Sequence, residues 1–290
     1  MSAAAGTRTP TTTDPSLARL SLNQRTTARW TLQQAIDGCL TAGLSSIGVW
    51  REQVAEAGLA NAVRWIAEAG LRVSTLCRGG FFTASEPAAI EQAYAENRRA
   101  LDEAAALGAV TLCLVPGGLP AGDRDLRGAR RRAAEAIDRL VPYAREVGVP
   151  LGIEPMNPIY AADRGVVSTL GQALDLAEPY APAEVGVVLD TFHVWWDPEL
   201  EAQIARAGER IHSYQVCDWI TPLPADALLA RGMMGDGHID FATITGWVRD
   251  AGYSGDIEVE IFNADIWATP GDQVLATMSA RYLDLIRPYA

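Results

Sequence analysis

Eight times between residues 20 and 286 a short apolar run gives way to a longer amphipathic one, and that alternation admits few folds. The apolar runs fall at 20–23, 46–50, 72–76, 110–115, 150–155, 185–189, 211–216 and 256–262. Helical patterns follow at 31–42, 52–69, 86–107, 127–147, 169–176, 199–207, 241–251 and 271–286. The strand-like runs are nearly continuous in apolar residues, as expected of a parallel sheet covered on both faces. Gly43, Gly70, Gly108, Gly148 and Gly252 stand where a helix would end in a left-handed cap. Eight strand-then-helix units predict a single (β/α)8 barrel over 17–290, preceded by an Ala-, Thr- and Pro-rich tail at 1–16. An open doubly wound sheet would carry a Gly-rich loop after its first strand, and Leu20-Ser21-Leu22-Asn23-Gln24-Arg25-Thr26 has none.

Charge narrows the function. The net charge of −12 opposes a phosphate-backbone partner, so nucleic acid is not expected. The one basic cluster, Arg127 to Arg132, reads as a solvated helix face. No apolar run reaches the length of a membrane span, and the N-terminal residues lack the pattern of a secretory leader. Cys39, Cys77, Cys113 and Cys217 show no Cys-x-x-Cys spacing and read as reduced, buried thiols. A cytoplasmic protein is expected.

Four oxygen-bearing residues end strand-like runs in the second half of the chain: Glu154, Asp190, Gln215 and Glu260. In a barrel the C-terminal ends of the strands meet at one mouth, so these four predict a hard divalent cation, Mn²⁺ or Mg²⁺ rather than zinc. Such a cation polarises a carbonyl and acidifies the neighbouring C–H, and a carboxylate can then remove the proton. Around these stand His193, Asn157, Arg78 and Trp196 as candidate contacts for substrate, with Asp218 as a carboxylate that would orient a ligand. His212 falls on the opposite face of its strand and reads as structural.

Five stretches, in order, carry a resemblance: Ile153-Glu154-Pro155-Met156-Asn157, Leu189-Asp190-Thr191-Phe192-His193, Arg210 to Asp218, Gly235 to Phe241, and Gly255 to Phe262. Together they resemble the xylose-isomerase-like TIM-barrel superfamily, which includes ketose 3-epimerases, inosose isomerases and dehydratases, and subunits that cleave 3-keto-glycosides. The resemblance implies metal positions at Glu154, Asp190, Gln215 and Glu260, with Glu154 and Glu260 as the acid/base pair. It implies an isomerase or epimerase of a keto-sugar or cyclic polyol ketone, working through an enediolate, with a lyase or dehydratase on the same site as the alternative. The chain departs from the pattern at Gln215, where relatives carry His, at the Trp195-Trp196 pair, and in lacking an evident Arg downstream of the seventh strand. Relatives are often oligomers, so a homo-oligomer or a partner subunit is expected alongside a small-molecule substrate.

Overall fold

A computed structural model describes residues 14–290; most of the predicted tail, residues 1–13, lies outside the described residues. In chain order the elements are β1 Leu20–Asn23, α1 Leu32–Thr41, β2 Ser46–Trp50, α2 Arg51–Ala57, α3 Leu59–Ala69, β3 Arg72–Gly80, α4 Pro87–Leu107, β4 Leu112–Val115, α5 Leu126–Val147, β5 Leu151–Ile153, α6 Leu170–Ala177, β6 Val185–Asp190, α7 Thr191–Val194, α8 Leu200–Ala207, β7 Ile211–Val216, β8 Asp218–Trp219, β9 Arg231–Gly232, α9 Phe241–Asp250, β10 Ile257–Val259, α10 Ala264–Ala268 and α11 Gly271–Leu285. Eight strands close into a barrel in the order β1-β10-β7-β6-β5-β4-β3-β2, and every pairing within it is parallel. The predicted (β/α)8 barrel is what forms.

The helices pack on the barrel through stripes the sequence already carries. In α5, Ala129, Ala133, Ile137, Leu140 and Ala144 are buried at three- and four-residue intervals, while Arg131 and Glu135 pair on its outer face. Each buried Leu or Ile adds about 1.5 to 3 kcal/mol of burial free energy. The five glycines expected to end helices all have positive φ, between 64° and 93°. Gly58, at φ 79°, divides the expected helix over 52–69 into α2 and α3.

Three differences from the sequence reading bear on the site. The third strand runs four residues further than expected, to Gly80. The eighth barrel strand is shorter, Ile257–Val259, leaving Glu260 just past its end. An antiparallel ribbon, β8 with β9, rises between the seventh and eighth barrel strands; a two-residue strand has no period for a sequence reading to detect.

Strand register sets the interior in levels. Asp190 pairs with Gln215, and Gln215 with Glu258. Register partners in neighbouring parallel strands share a face, so all three point into the barrel, stepped along its axis by the tilt of the strands, and Glu260 lies two residues nearer the mouth than Glu258.

Candidate active site

The lower level is built around Glu258, wholly buried in the barrel. Its carboxylate accepts from Ser74 Oγ at 2.5 Å, Thr75 Oγ1 at 2.9 Å, Asn23 Nδ2 at 2.5 Å and Gln215 Nε2 at 3.0 Å. Gly48 makes the room: a Cβ there would stand 2.5 Å from that carboxylate. Burial still raises the Glu258 pKa against these four donors.

Above it, Glu154, Asp190, Glu260 and His193 gather about a residue the sequence reading passed over. Arg231, carried by β9 and buried, donates from Nη1 to Asp190 Oδ2 at 2.5 Å and stands 3.4 Å from Glu260 Oε2. Its guanidinium lies 4.7 Å from the Phe192 ring centroid and 5.3 Å from that of Phe262. The sequence reading found no evident arginine downstream of the seventh strand; Arg231 stands there, delivered by the ribbon. A sequence signal existed: Ala230-Arg231-Gly232-Met233-Met234 sets one charge in an apolar run, and a lone buried charge requires a partner.

His193 follows Asp190 through the single turn of α7, which Asp190 caps by accepting from Phe192 N at 2.8 Å. The His193 ring accepts at Nδ1 from the backbone N–H of Asn157 at 3.1 Å. A neutral imidazole has one acceptor, so this fixed donor places the ring proton on Nε2. Burial, reinforced by Arg231, holds the His193 pKa well below its ordinary range, keeping the ring neutral. Nε2–H points toward Glu154 Oε1 and Asp190 Oδ2, each 3.8 Å away. On this tautomer His193 is a hydrogen-bond donor into the cavity, and Arg231 Nη2, 3.1 Å from Nε2, is a second donor crowded against it.

The carboxylates are electrostatically strained. Burial, then the charge of Asp190, pushes Glu154 up to about 7. Burial also raises Asp190 against the pull of Arg231, and lifts Glu260 well above the usual range, with Glu154, Asp190 and Glu258 adding to it. One guanidinium among three buried carboxylates leaves a deficit of two positive charges. A divalent cation matches that deficit, and the donor set suits one. Ligand atoms of Glu154 and Asp190 lie within 4.8 Å of each other, and Gln215 leaves Oε1 buried without a partner because its Nε2 is committed to Glu258. His193 belongs to the same cluster by distance, but its tautomer makes it a poor ligand.

Other expected contacts are placed differently. Asn157 accepts from Ile159 N at 3.2 Å and caps the turn that follows it, acting on the cavity only by orienting His193. Trp196 donates from Nε1 to the His193 carbonyl at 2.8 Å and is absent from the cavity lining. Asp218 is taken up by backbone donors. Its oxygens accept from the backbone N–H groups of Trp219, Gly235, Gly237 and Ile239, because they are the acceptors that shape the turn following the ribbon. His212 faces outward, its Nε2 2.7 Å from the Pro182 carbonyl, as expected. Arg78 does line the cavity, a space of about 270 Å³ walled also by Trp50, Cys77, Cys113, Phe262 and Trp267. All four cysteines are buried and unpaired. Among the described residues no helix is long and apolar enough to cross a membrane.

A family model described as xylose isomerase-like TIM barrel matches residues 36–283. The crystal structure of protein SMc04130 from Sinorhizobium meliloti 1021 superposes with a TM-score of 0.91 at 48% identity, covering 93% of this chain and 99% of that one. A crystal structure of the IOLI protein with a bound zinc atom shares the fold, with a TM-score of 0.82 at 19% identity over 94% of this chain and 99% of that one. Among curated proteins, an L-ribulose 3-epimerase of Methylomonas sp. (strain DH-1) is 25% identical over 193 residues, 63% of this chain and 61% of the epimerase. Across three curated 3-epimerases the matched stretch spans only 41% to 61% of the relative's length. The eight-stranded barrel, the ordered motifs and the family match over most of the sequence make this chain a member of the xylose isomerase-like TIM barrel family.

Proposed function

We propose that this chain is an isomerase or epimerase of a keto-sugar or cyclic polyol ketone, moving a proton on the carbon beside the carbonyl. The observation that carries the reading is geometric: Glu154 and Glu260 are two buried carboxylates lining one cavity. Two carboxylates facing one cavity can abstract a proton from a sugar carbon and return it. Glu154 would take the proton and Glu260 return it, or the reverse. Return to the opposite face of the same carbon gives epimerisation; return to the neighbouring carbon gives isomerisation.

The chain's own groups stabilise the negative oxygen that forms. His193 offers Nε2–H into the cavity, and Arg231 places a full positive charge beside Asp190 and Glu260. A divalent cation, Mn²⁺ or Mg²⁺ by the hardness of the donors, would be held by Glu154, Asp190, Glu260 and Gln215 Oε1, and would supply carbonyl polarisation. The cavity of about 270 Å³ suits a single sugar-sized ring better than a glycoside with a bulky aglycone, which disfavours 3-keto-glycoside cleavage and leaves dehydration of a ring-sized ketone on the same site as the second reading.

The test is incubation of Mn²⁺-loaded protein with a panel of ketoses and inososes in deuterated water, read by NMR. Deuterium entering beside the carbonyl with the carbon skeleton retained is expected. Release of a leaving group instead would move the assignment to elimination, and no exchange with any member would end it.

A further inference from the structure

Three more arginines stand at the cavity. Arg25, Arg78 and Arg164 line it together with Glu154 and Glu260. In a chain carrying a net −12, three guanidinium groups brought to one small opening call for an explanation. None is well partnered within the chain. Arg78 makes no hydrogen bond or ion pair among the described residues; its guanidinium lies 4.4 Å from the Phe81 ring centroid and 5.9 Å from that of Trp50. Arg25 stacks 4.1 Å over Trp50, its Nε is buried without a partner, and its one nearby carboxylate, Glu52, is 3.7 Å away. The Nε of Arg164 is likewise buried and unbonded, with Asp163 3.6 Å off, beyond hydrogen-bond reach.

Arg51, by contrast, bonds Glu103 at 2.5 and 2.9 Å and pairs with Glu96, and Arg231 is bonded to Asp190 through Nη1 although its Nε is also buried without a partner among the described residues. A half-buried guanidinium with free N–H groups carries a desolvation cost that nothing in the chain offsets, and burial is the main cause holding the Arg78 pKa below its ordinary value. The aromatic faces orient these groups without consuming their donors, leaving planar forks of N–H free for oxygen.

We propose that the substrate of this site carries an anionic oxygen group, a carboxylate or a phosphate monoester, received at the cavity by Arg78 together with Arg25 and Arg164. The proposal rests on reading the same cavity as the active site. It divides the substrate in two: the ketone end reaches Glu154 and Glu260, and the charged end is held by the arginines. The selectivity follows from charge, since a neutral ketose of equal size would leave Arg78 without a counter-charge and the forks of Arg25 and Arg164 without a close acceptor.

The experiment measures binding to the full chain by titration calorimetry and tryptophan fluorescence, Trp50 lying directly under Arg25. The probes are fructose, its terminal phosphate ester, fructuronate as the matched carboxylate, and inorganic phosphate. At least one charged ketose should bind about tenfold to a hundredfold more tightly than fructose, the range of charge-assisted hydrogen bonds. Arg78→Met and Arg164→Met should each reduce that preference, and the double variant should bring it within about threefold. Arg78→Lys should restore part of it. Equal binding of fructose and both charged forms, or a preference untouched in the double variant, would overturn the proposal. Arginine-dependent binding of a charged ketose without deuterium exchange would support the anion site while removing the isomerase reading. Exchange on neutral ketoses with a KM no higher than on charged ones would remove the anion site and leave catalysis standing.

Discussion

At the lower level of the barrel, Glu258 is held by hydrogen bonds from four side chains; nearer the mouth, among the described residues the Glu260 carboxylate accepts a hydrogen bond only from Asn23, at 3.0 Å, and shares Arg231 with Asp190. Both carboxylates are buried and lie two residues apart on one side of the chain. What separates them is the company. Neutral donors surround Glu258 and take up its lone pairs, so it is solvated by the protein. Glu260 feels three other carboxylates, Glu154, Asp190 and Glu258, and gains from each an unfavourable charge. A buried acid ringed by donors is structural, while one ringed by other acids is left with a proton to trade.

The sharpest way to break this contrast is to remove the acid at each level. Glu260→Gln removes a proton carrier while keeping shape, and should lower kcat by about a thousandfold or more with the melting curve close to that of the parent. Wild-type turnover in that variant would take Glu260 out of the chemistry. Glu258→Ala should act in the opposite currency, costing about 3 kcal/mol or more of stability in chemical denaturation, because Ser74, Thr75, Asn23 and Gln215 are left without their acceptor. Gly48→Ala presses on the same carboxylate from below and should cost about 2 kcal/mol, since the 2.5 Å approach forces Glu258 off its donors.

Much of this was open to a reading of the chain. Period and glycine placement revealed eight strand-helix units, and strand ends marked Glu154, Asp190 and Glu260, because a barrel converts position along a strand into position at the mouth. Partners across the barrel were hidden. That Glu258 is saturated depends on Ser74 and Thr75 from β3 and Asn23 from β1, more than 180 residues away in sequence. Arg231 was missed for the same reason, since a ribbon with two-residue strands delivers it. The free acceptor of Gln215 likewise became visible only once its amide nitrogen was seen bonded to Glu258.

The upper level should also betray itself through pH. Glu154 titrates near 7 in the folded chain against an unfolded value of about 4.3, so between these the folded state holds the extra proton. Stability from this group is therefore greatest below about pH 4 and falls as pH rises toward 7, by about 1.4 kcal/mol per unit while the difference persists. Asp190 and Glu260 shift in the same direction and add to the loss. A cation bound by the deprotonated groups would reverse it, so the rise in Tm caused by Mn²⁺ should grow from about pH 5 to about pH 8, on the order of 1 to 3 kcal/mol of added stability. A Tm gain independent of pH would mean that these carboxylates do not take up the ion.

The smallest effect is expected where the two levels join. Gln215 gives its donor to Glu258 below and keeps its acceptor free above, so replacing it tests whether both halves of the amide matter. Gln215→His offers an imidazole, which likewise has one donor and one acceptor when neutral, and should leave Mn²⁺ affinity equal or tighter, within about tenfold, at a cost near 1 kcal/mol for the repositioned bond to Glu258. Gln215→Leu removes both halves. It should weaken Mn²⁺ binding, read by competition with a chromogenic chelator, and lower stability by about 1 to 3 kcal/mol, because Glu258 loses one of its donors. If the leucine variant lost stability but bound Mn²⁺ as the parent does, Gln215 would belong to the lower level alone, and the ion would be held by the three carboxylates without it.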